Sequence, residues 1–265
     1  MQEKVDANAV LTSNRLKGTT MTILSTLRSE ANGFLRRFGL HLVRLNGLPS
    51  ERRAMLLRHH RIRTVVDVGA NNGAYGVALR GAGYSGKIIS FEPTADAYRA
   101  LAARAEADPF WTAIKSAIGE VEGEVMINVA ANQAASSSLL PMLNVHSQSA
   151  PESRFVSSEK VDLATLDQAL DGLLRPDERL FLKIDTQGYE EMVLKGAPEV
   201  LKQVELIECE LSFIPLYEGQ LCFTEMLSML KDLGYSPIQF VPGFTNPLTG
   251  HCFQVDGIFC KSQNV

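Results

Sequence analysis

The 265-residue chain has a single tryptophan, only four cysteines and no apolar run near the ~20 residues that a membrane-spanning helix needs. A transmembrane protein is therefore not expected. Cys209, Cys222, Cys252 and Cys260 form no Cys-x-x-Cys pair and sit in apolar neighbourhoods. That argues for buried thiols in a reducing compartment, against a disulfide framework or a zinc site. The opening residues, Met1-Gln-Glu-Lys-Val-Asp6, lack the basic-then-apolar order of a secretory signal, so a cytoplasmic location is expected. No internal repeat is visible. The dinucleotide fingerprint Gly-x-Gly-x-x-Gly is also missing, because the best glycine turn, Gly69-Ala-Asn-Asn-Gly73-Ala-Tyr-Gly76, carries Asn71 in place of the second glycine.

What is present describes a globular protein: 45% hydrophobic and 21% charged residues, with enough length to bury a full core. One large domain with an appendage suits that length, divided as a basic helical extension over 1–60 and a main domain over 61–265. Charge is unevenly placed. Residues 1–63 hold twelve Lys/Arg against four Asp/Glu, whereas the rest holds 14 against 26. Such asymmetry suggests that the first segment meets an acidic surface. Leu24, Leu27, Ala31, Phe34 and Leu35 recur at helical spacing up to Gly39, and Ser50 reads as the N-cap of a second helix over Glu51–His60. The segment reads either as a peripheral membrane or polyanion contact or as a helical cover packed on the main domain. Cover is favoured, because few large apolar residues line the face.

From Thr64 onward strands alternate with helices, the mark of a parallel sheet. Strands are expected at Thr64–Val68, Lys87–Phe91, Phe110–Ile114, Leu180–Asp185 and Val204–Glu210. Ser236–Val241 and Gln254–Cys260 should add an antiparallel pair at the sheet edge. Gly123–Val129 and Arg154–Asp162 read as a paired insertion (about 120–163) around an irregular stretch at 130–153, and so long an irregular loop is usually functional or disordered. Trp111 reads as core.

The chemistry gathers at Thr64-Val-Val-Asp-Val-Gly-Ala-Asn-Asn-Gly73, a strand running through a glycine turn into a helix N-terminus, which makes a backbone-lined seat for a polar cofactor. Asp67 just before the turn suits a ligand with a positive part better than a pyrophosphate. Glu92, 23 residues after Gly69 at the end of the second strand, is placed to accept from both hydroxyls of a ribose. Asp67, the turn and Glu92 together suit an amino-acid nucleoside, S-adenosylmethionine.

Val65-Val-Asp-Val-Gly-Ala-Asn-Asn-Gly73, Phe91-Glu-Pro93, Thr165-Leu-Asp167 and Lys183-Ile-Asp-Thr-Gln-Gly-Tyr-Glu190 resemble the FkbM-type S-adenosylmethionine-dependent methyltransferases over roughly residues 60–260. The resemblance implies an α/β fold, the Rossmann-like seven-stranded class I methyltransferase sheet, mostly parallel with one antiparallel strand. It also implies O-methylation of a small-molecule, saccharide or secondary-metabolite hydroxyl, with no nucleic-acid partner. Carried over residue by residue, Asp67 and the turn Gly69, Ala70, Asn71 and Gly73 would hold the methionine part. Glu92 would take the ribose, with Pro93 and Thr94 lining that corner, and Ser116, Ala117 and Ile118 would lie beside the adenine. Asp185 would face the transferring methyl group. Gln187 and Tyr189, with Ser136, Ser137 and Ser138 of a serine-containing patch, would stand on the substrate side.

An alcohol acceptor needs its proton removed as the bond forms. Asp185 is the first candidate, as base or as holder of the acceptor. Glu190, Glu208, Glu210, His146 and His251 follow, the histidines ranking low because a lone histidine is more often a satisfied or surface residue. Asp185 with Glu208 or Glu210 could instead hold Mg²⁺, but no third carboxylate or Asn stands in register, so metal is disfavoured. Two other readings stay open: a nucleotide-cofactor oxidoreductase, which Asn71 counts against, and a non-catalytic binding protein that keeps the fold.

Overall fold

The computed structural model describes residues 29–38, 40 and 48–262, and the chain forms two compact units, Met1–Leu48 and Pro49–Val265. In the first, residues 29–35 are helical and continue into a 3₁₀ turn at Arg36–Phe38, where the rings of Phe34 and Phe38 lie 5.3 Å apart. Leu24, Leu27 and the expected stop at Gly39 lie outside the described residues.

The second unit opens with the helix Pro49–His59, which places Ser50 inside the first turn rather than at the cap. Proline takes the first helical position because its fixed φ suits it and its missing N–H would have had no partner there.

Seven strands then build one sheet. They are β1 (Thr64–Val68), β2 (Lys87–Phe91), β3 (Trp111–Ile114), β7 (Leu180–Ile184), β8 (Val204–Ser212), β9 (Tyr235–Pro242) and β10 (Gln254–Lys261). Their order is β3-β2-β1-β7-β8-β10-β9. The pairs from β3 to β8 are parallel, and β10 runs antiparallel to both β8 and β9. The expected pair therefore closes one edge, with β10 as the single reversed strand.

Every residue of β1 and β7 is buried, as central strands covered on both faces must be. One core layer packs Val66, Ile89, Leu182 and Ile207 under the helices on one side. The other packs Val65, Ile88, Phe181, Leu206 and Ile258 under Leu57, Leu79 and Leu101. Trp111 belongs to this second layer, its indole N–H donating to Ser90 Oγ at 3.0 Å.

The insertion is a second sheet of order β4-β6-β5, where β4 is Ala117–Ile118, β5 Gly123–Ala130 and β6 Phe155–Ala164. β5 and β6 pair antiparallel from Gly123↔Leu163 to Ala130↔Phe155. β4 was not anticipated, because two residues are too few to show a period. The stretch 130–153 is only partly irregular. It contains the helix Asn144–Ser149, a 3₁₀ turn at Pro151–Ser153, and bridges from Ser138 to Asn128 and from Met142 to Tyr217. All four cysteines are free, Cys209 and Cys260 buried, Cys222 and Cys252 half-buried. Among the described residues no helix is long and apolar enough to cross a membrane.

Candidate active site

A cavity of about 380 Å³ opens at the carboxyl ends of β1, β2, β7 and β8, roofed by Ala134, Ala135, Ser137 and Leu139 of the insertion. Its floor is the turn after β1. Gly69 has φ +75°, and a Cβ there would stand 1.9 Å from the Asp185 carbonyl oxygen, so only glycine lets the turn meet β7. Asn71 is left-handed too, at φ 47°, a conformation that asparagine tolerates better than most residues. Its side-chain amide donates to Gln133 O at 3.1 Å, tying the turn to the roof.

Glu92 closes the β2 side. One oxygen accepts from Asn71 N at 2.9 Å, and the other accepts from Thr94 N and Thr94 Oγ1 at 2.9 and 2.5 Å. Burial pushes its carboxyl upward, while the bonds from Thr94 and Asn71 oppose the shift. Gly69, Ala70, Asn71, Pro93, Ser116, Ala117 and Ile118 also line the cavity. Three residues expected on this side do not. Gly73 is a packing glycine whose Cβ would meet Leu101 and Trp111. Thr94 is buried as the partner of Glu92. Asp67 is wholly buried beneath the turn, 3.1 Å from Lys183 Nζ and accepting from Ser90 Oγ at 3.3 Å.

The group that reaches the cavity in place of Asp67 is Lys183. Its ammonium donates to Gly69 O at 3.0 Å, stands 3.4 Å from Asp185 Oδ2 and lies over the Tyr75 ring. Burial works against its charge, but Asp67 and Asp185 outweigh it and hold the ammonium above its ordinary range. A lysine inside the apolar run Leu180-Phe-Leu-Lys-Ile184 was the sequence signal for it, since a charge in a doubly covered strand must have a partner.

Asp185 lies just past β7 with its side chain 38% exposed, against 36% for Asp256 and 4% for Glu208 on the same wall. Gln187 Nε2 donates to Asp185 Oδ1 at 2.7 Å and to Glu210 Oε2 at 3.0 Å, while Tyr217 O–H donates to Gln187 Oε1 at 2.8 Å. Glu210 lines the cavity, but burial, and then Asp185, Glu190 and Asp256, push its carboxyl well up, which favours the neutral acid. Glu208 also lines it, yet Arg53 clasps both its oxygens and Tyr75 O–H donates to it at 2.7 Å. Arg53 further pairs with Asp256 at 3.4 Å. Arg53, Tyr75 and Asp256 were missed; no local pattern marks them, since each acts across a large sequence separation.

Other expected site residues stand elsewhere. Glu190 is buried behind the loop, its Oε1 accepting from Thr186 N, Thr186 Oγ1 and Gly188 N, so it braces that loop and does not meet the cavity. His146 is buried between Tyr217 and Phe244, and burial lowers its basicity. His251 sits exposed on the connection between β9 and β10. Ser136 and Ser138 are buried, Ser138 Oγ donating to Gln187 O at 2.7 Å. Of the serines in that patch only Ser137 lines the cavity. Tyr189 does so as well, and it precedes the helix Glu190–Lys195 without a side-chain capping bond. Among the described residues, the metal-type trio whose ligand atoms converge is His60, Glu205 and Cys260; Asp185, Glu208 and Glu210 do not form one.

The methyltransferase FkbM domain model matches residues 67–237, more than half of the chain. No curated protein matches significantly. Among solved structures, the methyltransferase FkbM of Methylobacillus flagellatus KT is similar at 14% identity and TM-score 0.46, over 79% of this chain and 48% of that one. This chain thus spans about half that protein's length. Precorrin-6y C5,15-methyltransferase of Geobacter metallireducens GS-15 is similar at 14% identity and TM-score 0.41, over 80% and 88%. An rRNA methylase of Streptococcus thermophilus is similar at 12% identity and TM-score 0.42, over 81% and 96%.

Proposed function

The chain belongs to the methyltransferase FkbM domain family, and on that premise we propose that it moves a methyl group from S-adenosylmethionine to a hydroxyl of a saccharide or secondary metabolite. The observation that carries the reading is the single cavity shared by two chemically different walls. Glu92, Ser116 and the backbone of the Gly69 turn offer acceptors and donors suited to a nucleoside, Lys183 offers a cation suited to the carboxylate of an amino-acid end, and Asp185 stands as a carboxylate for the acceptor. Lys183 takes the place first expected for Asp67, and its charge complements a carboxylate. At about 380 Å³ the cavity falls within the ~300–1,000 Å³ common for small-ligand sites.

When bound, the donor supplies a methyl carbon already activated on a sulfonium. The protein's task is then alignment of the acceptor oxygen with that carbon. As the oxygen–carbon bond forms and the carbon–sulfur bond breaks, the hydroxyl proton passes to a base. Asp185 takes that role: it lines the cavity with its side chain 38% exposed, while Arg53 and Tyr75 hold Glu208 and burial favours the neutral acid at Glu210. Glu92, Asp185, Glu208, Glu210 and Asp256 outnumber Arg53 and Lys183 around the cavity, which disfavours a phosphodiester acceptor and favours a hydroxyl-rich one. The same two cations serve in place of Mg²⁺ as counter-charges to the carboxylates.

Titration calorimetry with S-adenosylmethionine and S-adenosylhomocysteine tests the donor; binding of neither would end the proposal. For the base, transfer of labelled methyl groups to cell-extract acceptors should fall by about 10²–10⁴-fold in Asp185→Asn. Turnover equal to wild type would remove Asp185 from that role.

A further inference from the structure

The basic charge of residues 1–63 is not absorbed by the cavity, which takes from that segment only Arg53. Part of it gathers at the opposite end of the sheet. There, a second cavity of about 320 Å³ is lined by Arg61, Arg63, Arg175 and Arg179, with Pro176, Asp177 and Glu178. We propose that this four-arginine cavity is a binding site for a phosphate-bearing anion.

The arginines are brought together by the fold. Arg63 and Arg179 directly precede the paired strands β1 and β7, which start in register at Thr64↔Leu180, and Arg63 N donates to Arg179 O at 3.1 Å. Arg61 follows the helix Pro49–His59 with φ 54°, held by the bond from its N–H to Arg58 O. Arg175 enters on the turn before β7. Glu178 anchors that turn, one oxygen accepting from Arg175 N at 3.0 Å and the other from Thr64 Oγ1 at 2.6 Å. The backbone positions are thus fixed by contacts that use none of the guanidinium groups.

Among the described residues, only Arg179 of the four has a guanidinium hydrogen bond, from Nη1 to His60 O at 3.3 Å. Glu178 and Asp177 are the two anions in the lining, Glu178 with both oxygens held by Thr64 and the Arg175 backbone, so the four arginines leave a positive excess of two. Four cations facing one concavity repel each other and focus a positive potential, which a bound anion relieves. The planar guanidinium fork matches carboxylate and phosphate oxygens alike, and the positive excess of the lining favours the more highly charged of the two, a phosphoryl group. The shared chemistry is a phosphate group, free in solution or on a lipid headgroup.

The test is calorimetric titration of the full chain with inorganic pyrophosphate, and in parallel co-sedimentation with vesicles containing phosphatidic acid. Wild type should bind at least one of the two, and R63Q/R175Q should weaken that binding by about tenfold or more. Binding of pyrophosphate alone assigns a soluble ligand; binding of vesicles alone assigns a headgroup. All four side chains are exposed, so the variant is expected to melt with wild type, and R175Q alone, showing a smaller loss, serves as the second variant. Failure of wild type to bind either, or equal binding by R63Q/R175Q, would overturn the proposal.

Discussion

The two walls of the cavity satisfy their carboxylates in opposite ways. On the β1–β2 side Glu92 takes three bonds from Asn71 and Thr94, one of them two residues away and the other on the adjoining turn. On the β7–β8–β10 side Glu208 depends on Arg53, 155 residues distant, and on Tyr75, 133 residues distant. A wall built from backbone donors tolerates change in its surroundings. One built from distant side chains falls apart when either end is removed. Lys183 of β7 joins the two, reaching Asp67 and Gly69 O across the strand pair.

The joint gives the largest expected effect. Lys183→Met leaves Asp67 buried without its counter-charge and should cost about 3–5 kcal/mol in chemical denaturation. Adding Asp67→Asn should recover part of that loss, because the pair rather than either residue carries the cost. No recovery would mean that the walls are not coupled through this contact. Next in size, Arg53→Met should destabilise by about 2–4 kcal/mol by leaving buried Glu208 with Tyr75 alone. Glu92 should not register it, so binding of S-adenosylhomocysteine should survive once the protein is folded; loss of both would show that the walls respond as one.

The smallest effect is a pH effect at Asp256. Burial, and then Glu208, raise its pKa from 3.8 to about 6. The folded state therefore binds the proton more tightly than the unfolded chain. Stability is gained below pH 4 and lost as pH rises from about 4 to 6, since the native state then holds more protons than the unfolded one. Asp256→Asn should accordingly raise Tm by a few degrees above pH 6, with the gain fading towards pH 4. A gain that is flat across this range would show that Asp256 is not the titrating group.

The same contrast explains what the sequence reveals. The glycine turn, Glu92 and the positions of the strands are legible because their signals are local, where spacing carries the information. Asp67 was misplaced by one layer: its position just before the turn is plain, but whether it faces the ligand or Lys183 depends on a neighbouring strand more than a hundred residues away. Glu190 and Ser138 belong to the right motifs, yet their side chains hold the loop after β7 from behind. Arg53 carries no local signal, because one arginine among several on a basic helix becomes special only when Glu208 stands opposite.

The central claim is that the β1–β2 wall, together with Lys183, seats the donor and the rest of the β7–β8–β10 wall serves the acceptor. Titration of S-adenosylhomocysteine into wild type, Glu92→Ala and Glu210→Gln, side by side, tests it most directly. Loss of a charged hydrogen-bond partner is worth about 1.5–3 kcal/mol, so Glu92→Ala should bind roughly 10- to 100-fold more weakly while Glu210→Gln binds as wild type does. Equal binding by wild type and Glu92→Ala, or a loss in Glu210→Gln as large as in Glu92→Ala, would contradict the division.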